Sequence, residues 1–301
     1  MKFINSTHID FIGKRHISFI VSAILILVSV AAFVVRGPNY GIDFTGGMLM
    51  QLSFQNSVSL QDVRSALESG GLSSFELQAS DNEIMIRAKG NVGEQQAFQN
   101  QITSALSSKF AGNKITVEKV DYVGPSVGQY ISNNALWGFF LAFLGMIVYI
   151  AFRFKSPLWG IAGVLGIIHD VIITFGMVLL VRKEIDVIVV AALLTVAGYS
   201  ISDTIVLFDR IKENLRLSAK ESFGSIINKS INQVLVRTVV TTFTVFIVSC
   251  AFFFLGGEVL HTFAYILVIG TVLGAYSTIF ICTPLVYEWE TRKRKRAQLS
   301  K

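Results

Sequence analysis

Four titratable or charged residues sit in or beside runs that are otherwise apolar. His169 and Asp170 lie in Leu158–Val181, Asp203 lies in Val187–Phe208, and Arg237 stands at the head of Val239–Leu255. If these runs cross a bilayer, a charge at that depth costs from about 3 kcal/mol to far more, so each needs a partner or water. Asp203 is the sharpest case, because its side chain is too short to reach a headgroup. Along a helix it lies about 9 Å from the Asp209-Arg210 pair, which itself reads as an interfacial helix end. Thr195, Gly198 and Ser202 form a small, polar stripe beside it, suited to close helix contact or a narrow file of water. Arg237 opens the fifth apolar run, with Thr241 and Thr244 continuing its face, and on its own it could snorkel to the inner headgroups. His169-Asp170 lies about 20 Å from the inner end of its run; a structural hydrogen-bonded pair is the plainer reading of it.

The chemistry open to such residues is proton transfer coupled to helix movement. Desolvation favours a neutral carboxyl, while an adjoining guanidinium favours the carboxylate. Moving Arg237 away from Asp203 would therefore promote proton uptake, and renewed pairing would promote release. A proton crossing the membrane potential supplies about 2.3 kcal/mol per 100 mV, enough to bias a two-state arrangement more than tenfold.

The elements that position these groups follow from hydropathy. Hydrophobic residues make up 52% of the chain and charged residues 15%, against about 25% charged in soluble domains, and the mean hydropathy is +0.59. Six runs approach the roughly 20 apolar residues that a span needs: Ile17–Val35, Ala135–Phe152, Leu158–Val181, Val187–Phe208, Val239–Leu255 and Thr262–Tyr287. Pro284 is expected to bend or end the last. The first is too long for a signal-peptide core and is read as an uncleaved anchor. Basic residues cluster around Lys14-Arg15, Arg153-Lys155, Arg210–Arg237 and Arg292–Lys301, which puts both termini inside. Arg182-Lys183 in a short outer turn is the exception, partly balanced by Glu184 and Asp186. A basic juxtamembrane tail accounts for Arg292–Arg296 better than a nucleic-acid patch does. Cys250 and Cys282 both lie in apolar runs, so no disulfide framework or cysteine metal site is expected.

This gives an inner N-terminus (1–16), a first span (17–35), an outer α/β domain with its connector (36–132), a bundle (133–290) holding an inner loop (209–237), and an inner tail (291–301). In the outer domain, strand-like runs occur at Met48–Phe54, Phe75–Ala79, Glu83–Ala88 and Ile115–Val123. Ser59–Ser69 reads as a helix with Ser59 as N-cap and Asp62 completing a weak capping box. Glu94–Phe110 carries Phe98, Ile102, Leu106 and Phe110 on one face, and Asp81-Asn82 supplies a hairpin turn. The order βαββαβ implies a ferredoxin-like two-layer domain. It holds no His, no Cys and no acid pair of catalytic type, so a docking or positioning role is expected rather than an enzyme. Gly41, Asp43, Gly46 and Gly47 mark a glycine-rich entry to the first strand, with Asp43 bonding its own turn; no Gly-Lys-Ser/Thr follows and no helix is expected there.

Gly41–Gly47, His169-Asp170-Val171 and above all Gly198-Tyr199-Ser200-Ile201-Ser202-Asp203-Thr204-Ile205-Val206-Leu207-Phe208-Asp209-Arg210-Ile211-Lys212-Glu213-Asn214 resemble the SecD/SecF protein-export family, on its SecF side. The resemblance covers essentially the whole chain. It implies membership of the RND-like superfamily, pairing with a SecD-like subunit through pseudo-symmetric six-helix bundles, and assistance to the SecYEG channel, with YajC as a further partner. It also implies use of the proton motive force to move outer domains that pull or release an unfolded polypeptide in transit. The family's functional Asp falls on Asp203 and its functional Arg on Arg237. Where the family usually has Asn before that Asp, this chain has Ser202, which keeps a hydrogen-bonding group but shortens it. His169, Asp170 and Ser202 are candidate members of a proton relay. The expected setting is the bacterial cytoplasmic membrane, with lipid around the bundle, protons as the coupling ion, and no metal, organic cofactor or nucleic acid. A half-size RND-type exporter of small molecules is the alternative, but the compact outer domain leaves little room for a substrate cleft. A membrane protease or sensor kinase would need His-Glu-x-x-His or a phosphate-binding domain, and neither occurs.

Overall fold

The computed structural model describes residues 8–72, 75–80, 83–88, 95–154, 156–218 and 221–299. In chain order the elements are α1 (Arg15–Arg36), α2 (Ile42–Thr45), β1 (Gly47–Phe54), α3 (Leu60–Ser69), β2 (Phe75–Ser80), β3 (Glu83–Ala88), α4 (Gln95–Lys109) and β4 (Ile115–Val123). There follow α5 (Pro125–Phe154), α6 (Pro157–Leu180), α7 (Val187–Leu217), α8 (Phe223–Leu255), α9 (Gly257–Ser277), a π-helical turn (Thr278–Cys282) and α10 (Thr283–Leu299). They form two compact units, Tyr40–Trp137, and Met1–Asn39 with Gly138–Lys301.

In the α/β unit the strands lie in the order β2-β3-β1-β4, every pair antiparallel. Period-two alternation sends Met48, Met50, Leu52 and Phe54 of the central strand β1 to one face. There they are buried against Val63, Ala66 and Leu67 of α3 and Phe98, Ile102 and Leu106 of α4. Ser59 caps α3, its hydroxyl accepting from the Asp62 N–H at 3.1 Å, a contact worth about 1 kcal/mol. The four strands and two helices follow the βαββαβ reading; the expected turn at Asp81-Asn82 lies outside the described residues.

The glycine-rich entry departs from expectation. Ile42–Thr45 is a short helical turn, because the Gly41 carbonyl accepts from the N–H groups of Phe44 and Thr45 and from the Thr45 hydroxyl. Local capping of a free carbonyl is enough to close one turn, and no hydrophobic periodicity announces it. Gly46 (φ 67°) and Gly47 (φ 126°) occupy backbone regions that side chains avoid. A Cβ on Gly46 would stand 2.9 Å from the Pro125 Cα, and one on Gly47 2.8 Å from the Ala88 carbonyl. The motif thus packs β1 against the first turn of α5, where Pro125 takes the opening helical position.

Among the described residues, six helical segments are long and apolar enough to cross a membrane: α1, α5, α6, α7, α8 and the continuous stretch Leu260–Lys293. The helices outrun the apolar runs. α5 starts at Pro125, and the segment 209–237 expected as a loop is mostly helix, with α7 reaching Leu217 and α8 beginning at Phe223. Hydropathy ends where charges appear, but Ile211, Ile226, Ile227, Ile231 and Val234 keep a helical period and are buried. Arg237 therefore lies within α8 rather than at its start. Nor does Pro284 end the last helix. It sits just after the π-helical turn, in which Thr278 O accepts from the Thr283 N–H and from its hydroxyl at 2.8 Å, and α10 continues the chain. The wider π turn relieves the clash and the missing donor that a proline imposes.

At the end of the bundle that holds the N-terminal start of α8, residues 9–12 are held by two asparagines of α8. Asn228 Oδ1 accepts from the N–H groups of Phe11 and Ile12 at 3.0 and 3.1 Å. Asn232 accepts from Ile9 N and donates to Ile9 O. At the other end Asp186 caps α7 through the Val189 N–H, and Lys183 Nζ meets His261 Nδ1 at 3.0 Å. The basic turn is thus tied into the fold.

Candidate functional site

Among the described residues, two clusters of polar side chains link α7 to its neighbours. The first is a seam against α8. Tyr199 donates to Thr242 at 2.9 Å, Thr238 donates to Asp203 Oδ1 at 3.2 Å, Arg210 donates to Gln233 at 2.7 Å, and Asn214 donates to Ser230 at 2.8 Å. These positions recur every three to seven residues, as one face of a helix requires. The second oxygen of Asp203, Oδ2, is enclosed and has no hydrogen-bond partner among the described residues.

Arg237 is exposed and forms no salt bridge with Asp203 among the described residues. It is the next residue, Thr238, that reaches the carboxyl. Successive residues on a helix point about 100° apart, so the two side chains cannot share one direction. Thr241 and Thr244 are exposed like Arg237, and their hydroxyls donate to the α8 backbone at Arg237 and Val240. Thr195, Gly198 and Ser202 face outward rather than into the bundle. Asp209 pairs with Arg153 and Arg210 with Glu213, but α7 runs on to Leu217, so the two residues lie inside the helix and not at the helix end expected from sequence.

The second cluster surrounds His169 and Asp170 on α6, which are 5% and 0% exposed. His169 Nδ1 lies 2.8 Å from Asp170 Oδ1. Asp170 Oδ2 accepts from Ser200 of α7 at 2.5 Å and from Ser277 of α9 at 2.6 Å. His169 Nε2 lies 3.0 Å from Ser22 Oγ of α1, which is 3.1 Å from the Tyr276 hydroxyl of α9; that hydroxyl in turn donates to Ser18 O at 3.0 Å. Below it, Thr204 of α7 meets Thr278 of the π turn at 2.8 Å. Ser202 does not join this cluster; on α7 it is Ser200 that does.

Small residues allow these helices to meet. A Cβ at Gly270 would stand 2.2 Å from Val196 Cγ2, and one at Gly274 3.2 Å from Ser200 Cβ, so α9 lies directly on α7. Gly166 similarly meets Cys282. Sequence reasoning passed over Ser22, Ser200, Thr238, Tyr276 and Ser277, which look ordinary one by one. The Gly270–Gly274 spacing in an apolar run was the available signal, since it marks the face of α9 that must approach a neighbour.

Comparison with known proteins gives a consistent picture. The family model "Protein export membrane protein SecD/SecF, C-terminal" matches residues 102–292, and that of the "SecD/SecF GG Motif" matches residues 31–58. The protein translocase subunit SecF of Endomicrobium trichonymphae is 58% identical over 301 residues, covering 100% of this chain and 97% of its own. That of Thermodesulfovibrio yellowstonii is 38% identical, covering 95% and 96%. Among solved structures, the translocon-associated membrane protein SecDF of Thermus thermophilus matches with a TM-score of 0.86 at 32% identity over 97% of this chain. SecDF in a super-membrane-facing form matches with a TM-score of 0.68 at 29% identity over 100% of it. The chain spans 40% and 41% of those two SecDF chains.

Proposed function

The chain belongs to the SecD/SecF protein-export membrane protein family, and from that premise we propose that it is a proton-coupled auxiliary subunit of a Sec translocase. It would act with a SecD-type subunit beside the SecYEG channel, with YajC as an accessory, on unfolded polypeptide emerging from the bacterial cytoplasmic membrane. Both termini lie inside and the α/β unit outside. Asp203 takes up and releases the coupling proton, and Arg237 supplies the charge that competes with it.

The observation that carries this reading is the half-satisfied carboxyl of Asp203. One oxygen is bonded to Thr238 while the other is enclosed without a partner among the described residues. A buried acceptor in that condition is costly unless a proton, a water or a moving cation comes to it. Arg237, one position from Thr238 and free of a salt bridge to Asp203 here, can supply that cation when α8 turns or slides against α7.

The test is protein translocation into inverted membrane vesicles, with and without a proton gradient. Asp203→Asn and Arg237→Met are expected to abolish the gradient-dependent part while complex assembly and gradient-independent translocation remain. Gradient stimulation at the wild-type level in Asp203→Asn would overturn the assignment.

A further inference from the structure

The hydrogen-bond network around His169 can be checked by counting protons. It contains six contacts: Nδ1 to Asp170 Oδ1, Nε2 to Ser22, Ser22 to Tyr276, Tyr276 to Ser18 O, and Ser200 and Ser277 to Asp170 Oδ2. Each contact needs one hydrogen between its two heavy atoms. Ser22, Tyr276, Ser200 and Ser277 bring one each, and a neutral imidazole brings one more. A neutral imidazole beside an ionised Asp170 therefore falls one hydrogen short of the six contacts. Two lone pairs would then face each other somewhere in a site where His169 is 5% and Asp170 0% exposed.

One added proton completes every contact in a single direction. His169 Nε2 donates to Ser22, Ser22 to Tyr276, and Tyr276 to the Ser18 carbonyl, while Nδ1, Ser200 and Ser277 all serve Asp170. The same total is reached if the proton between His169 and Asp170 resides on the carboxyl oxygen. The 3.2 Å approach of Ser277 Oγ to Gly274 O does not lower the requirement, because a hydrogen turned that way leaves the Asp170 contact short.

We propose that the His169–Asp170 dyad is a second proton-binding site, separate from Asp203, whose single proton closes the link from α6 through Ser22 to α1 and Tyr276. Losing that proton opens one contact on the α1 side, whereas the Asp170 bonds to α7 and α9 remain. The other titratable groups facing the dyad are Tyr276 of α9 and Cys282 of the π turn, which packs on Gly166 one helical turn from Asp170. From α1 the facing groups are Ser18 and Ser22, and from α7 Ser200, Asp203 being turned toward Thr238. No lysine or arginine side chain bonds to the dyad among the described residues. The proposal rests on proton counting, not on the export reading, so the two stand or fall separately.

Solid-state NMR of the full chain in lipid, labelled with nitrogen-15 histidine, tests it directly. A His8→Gln, His16→Gln, His261→Gln chain leaves His169 as its sole histidine, and His169→Gln confirms the assignment in the wild-type chain. Near neutral pH the expected result is either protons on both ring nitrogens, or an Nε2-protonated ring with a carboxylic-acid infrared band that Asp170→Asn removes. Asp203→Asn should leave both signals unmoved. A ring with one proton beside an ionised Asp170, in either tautomer, would overturn the proposal. So would loss of the added proton in Asp203→Asn.

Discussion

At the scale of single residues, Thr238 decides how Asp203 is held, and its hydroxyl is the one donor to that carboxyl among the described residues. A buried hydrogen bond contributes about 1 kcal/mol, or about a fivefold change in an equilibrium. Thr238→Val should therefore reduce gradient-stimulated translocation several-fold at unchanged protein level, and Thr238→Ser should retain it; vesicle translocation with and without the gradient reads both. Asp10 is a second informative residue, lying before the first span. The Gly13 N–H, then Asn228, and more weakly the charges of Lys14 and Arg15 hold its carboxyl below the ordinary aspartate value of 3.8. A depressed carboxyl contributes stability above its unfolded value and loses it as pH falls through its folded value. Protection of the Phe11 and Ile12 amides from hydrogen exchange should thus persist at neutral pH and fall only in acid below about 3.8.

Elements are locked together by a few close approaches and polar clips. The Asn228 and Asn232 side chains hold the backbone of residues 9–12 against α8, the helix that carries Arg237. Removing both asparagines deletes several hydrogen bonds worth about 1 kcal/mol each. Asn228→Ala with Asn232→Ala should raise amide exchange in residues 9–12 by tenfold or more (about 1.4 kcal/mol) while the six spans stay folded. The α7–α9 contact is steric. Gly270→Ala places a methyl carbon 2.2 Å from stiff, β-branched Val196, whereas Gly274→Ala comes only to 3.2 Å from Ser200. Overpacking of this kind costs about 1–3 kcal/mol. Gly270→Ala should therefore lower the unfolding temperature in detergent clearly more than Gly274→Ala.

For the molecule as a whole, α1, α5 and α8 keep large apolar side chains such as Val35, Phe152 and Phe254 on their outer faces. Those faces suit lipid or another apolar helical bundle, and a soluble setting would leave them exposed to water. The proposed orientation is read by membrane-impermeant labelling of introduced cysteines in cells. With Cys250 and Cys282 replaced, Glu68→Cys in the α/β unit should label from outside, and Lys293→Cys in α10 only after the membrane is opened. Labelling of Lys293→Cys in intact cells would reverse the topology.

Hydropathy, helical periodicity and period-two alternation by themselves determined the spans, the βαββαβ order and the ferredoxin-like sheet, because those patterns are local and repeat every two or 3.6 residues. Asp203 also stood out from sequence, since an ionisable group in an apolar run is costly wherever the helix packs. Its partner was another matter. Asp203 meets Thr238 rather than Arg237, and Ser200 rather than Ser202 reaches Asp170. Those outcomes depend on helix rotation, and a step of one residue turns a side chain about 100° away. The same holds for Ser22, Tyr276 and Ser277, which lie far from His169 along the chain. Only the packing of α1, α6, α7 and α9 around small residues gathers their hydroxyls into one network, because hydroxyls carry no sequence signal until a buried acceptor faces them.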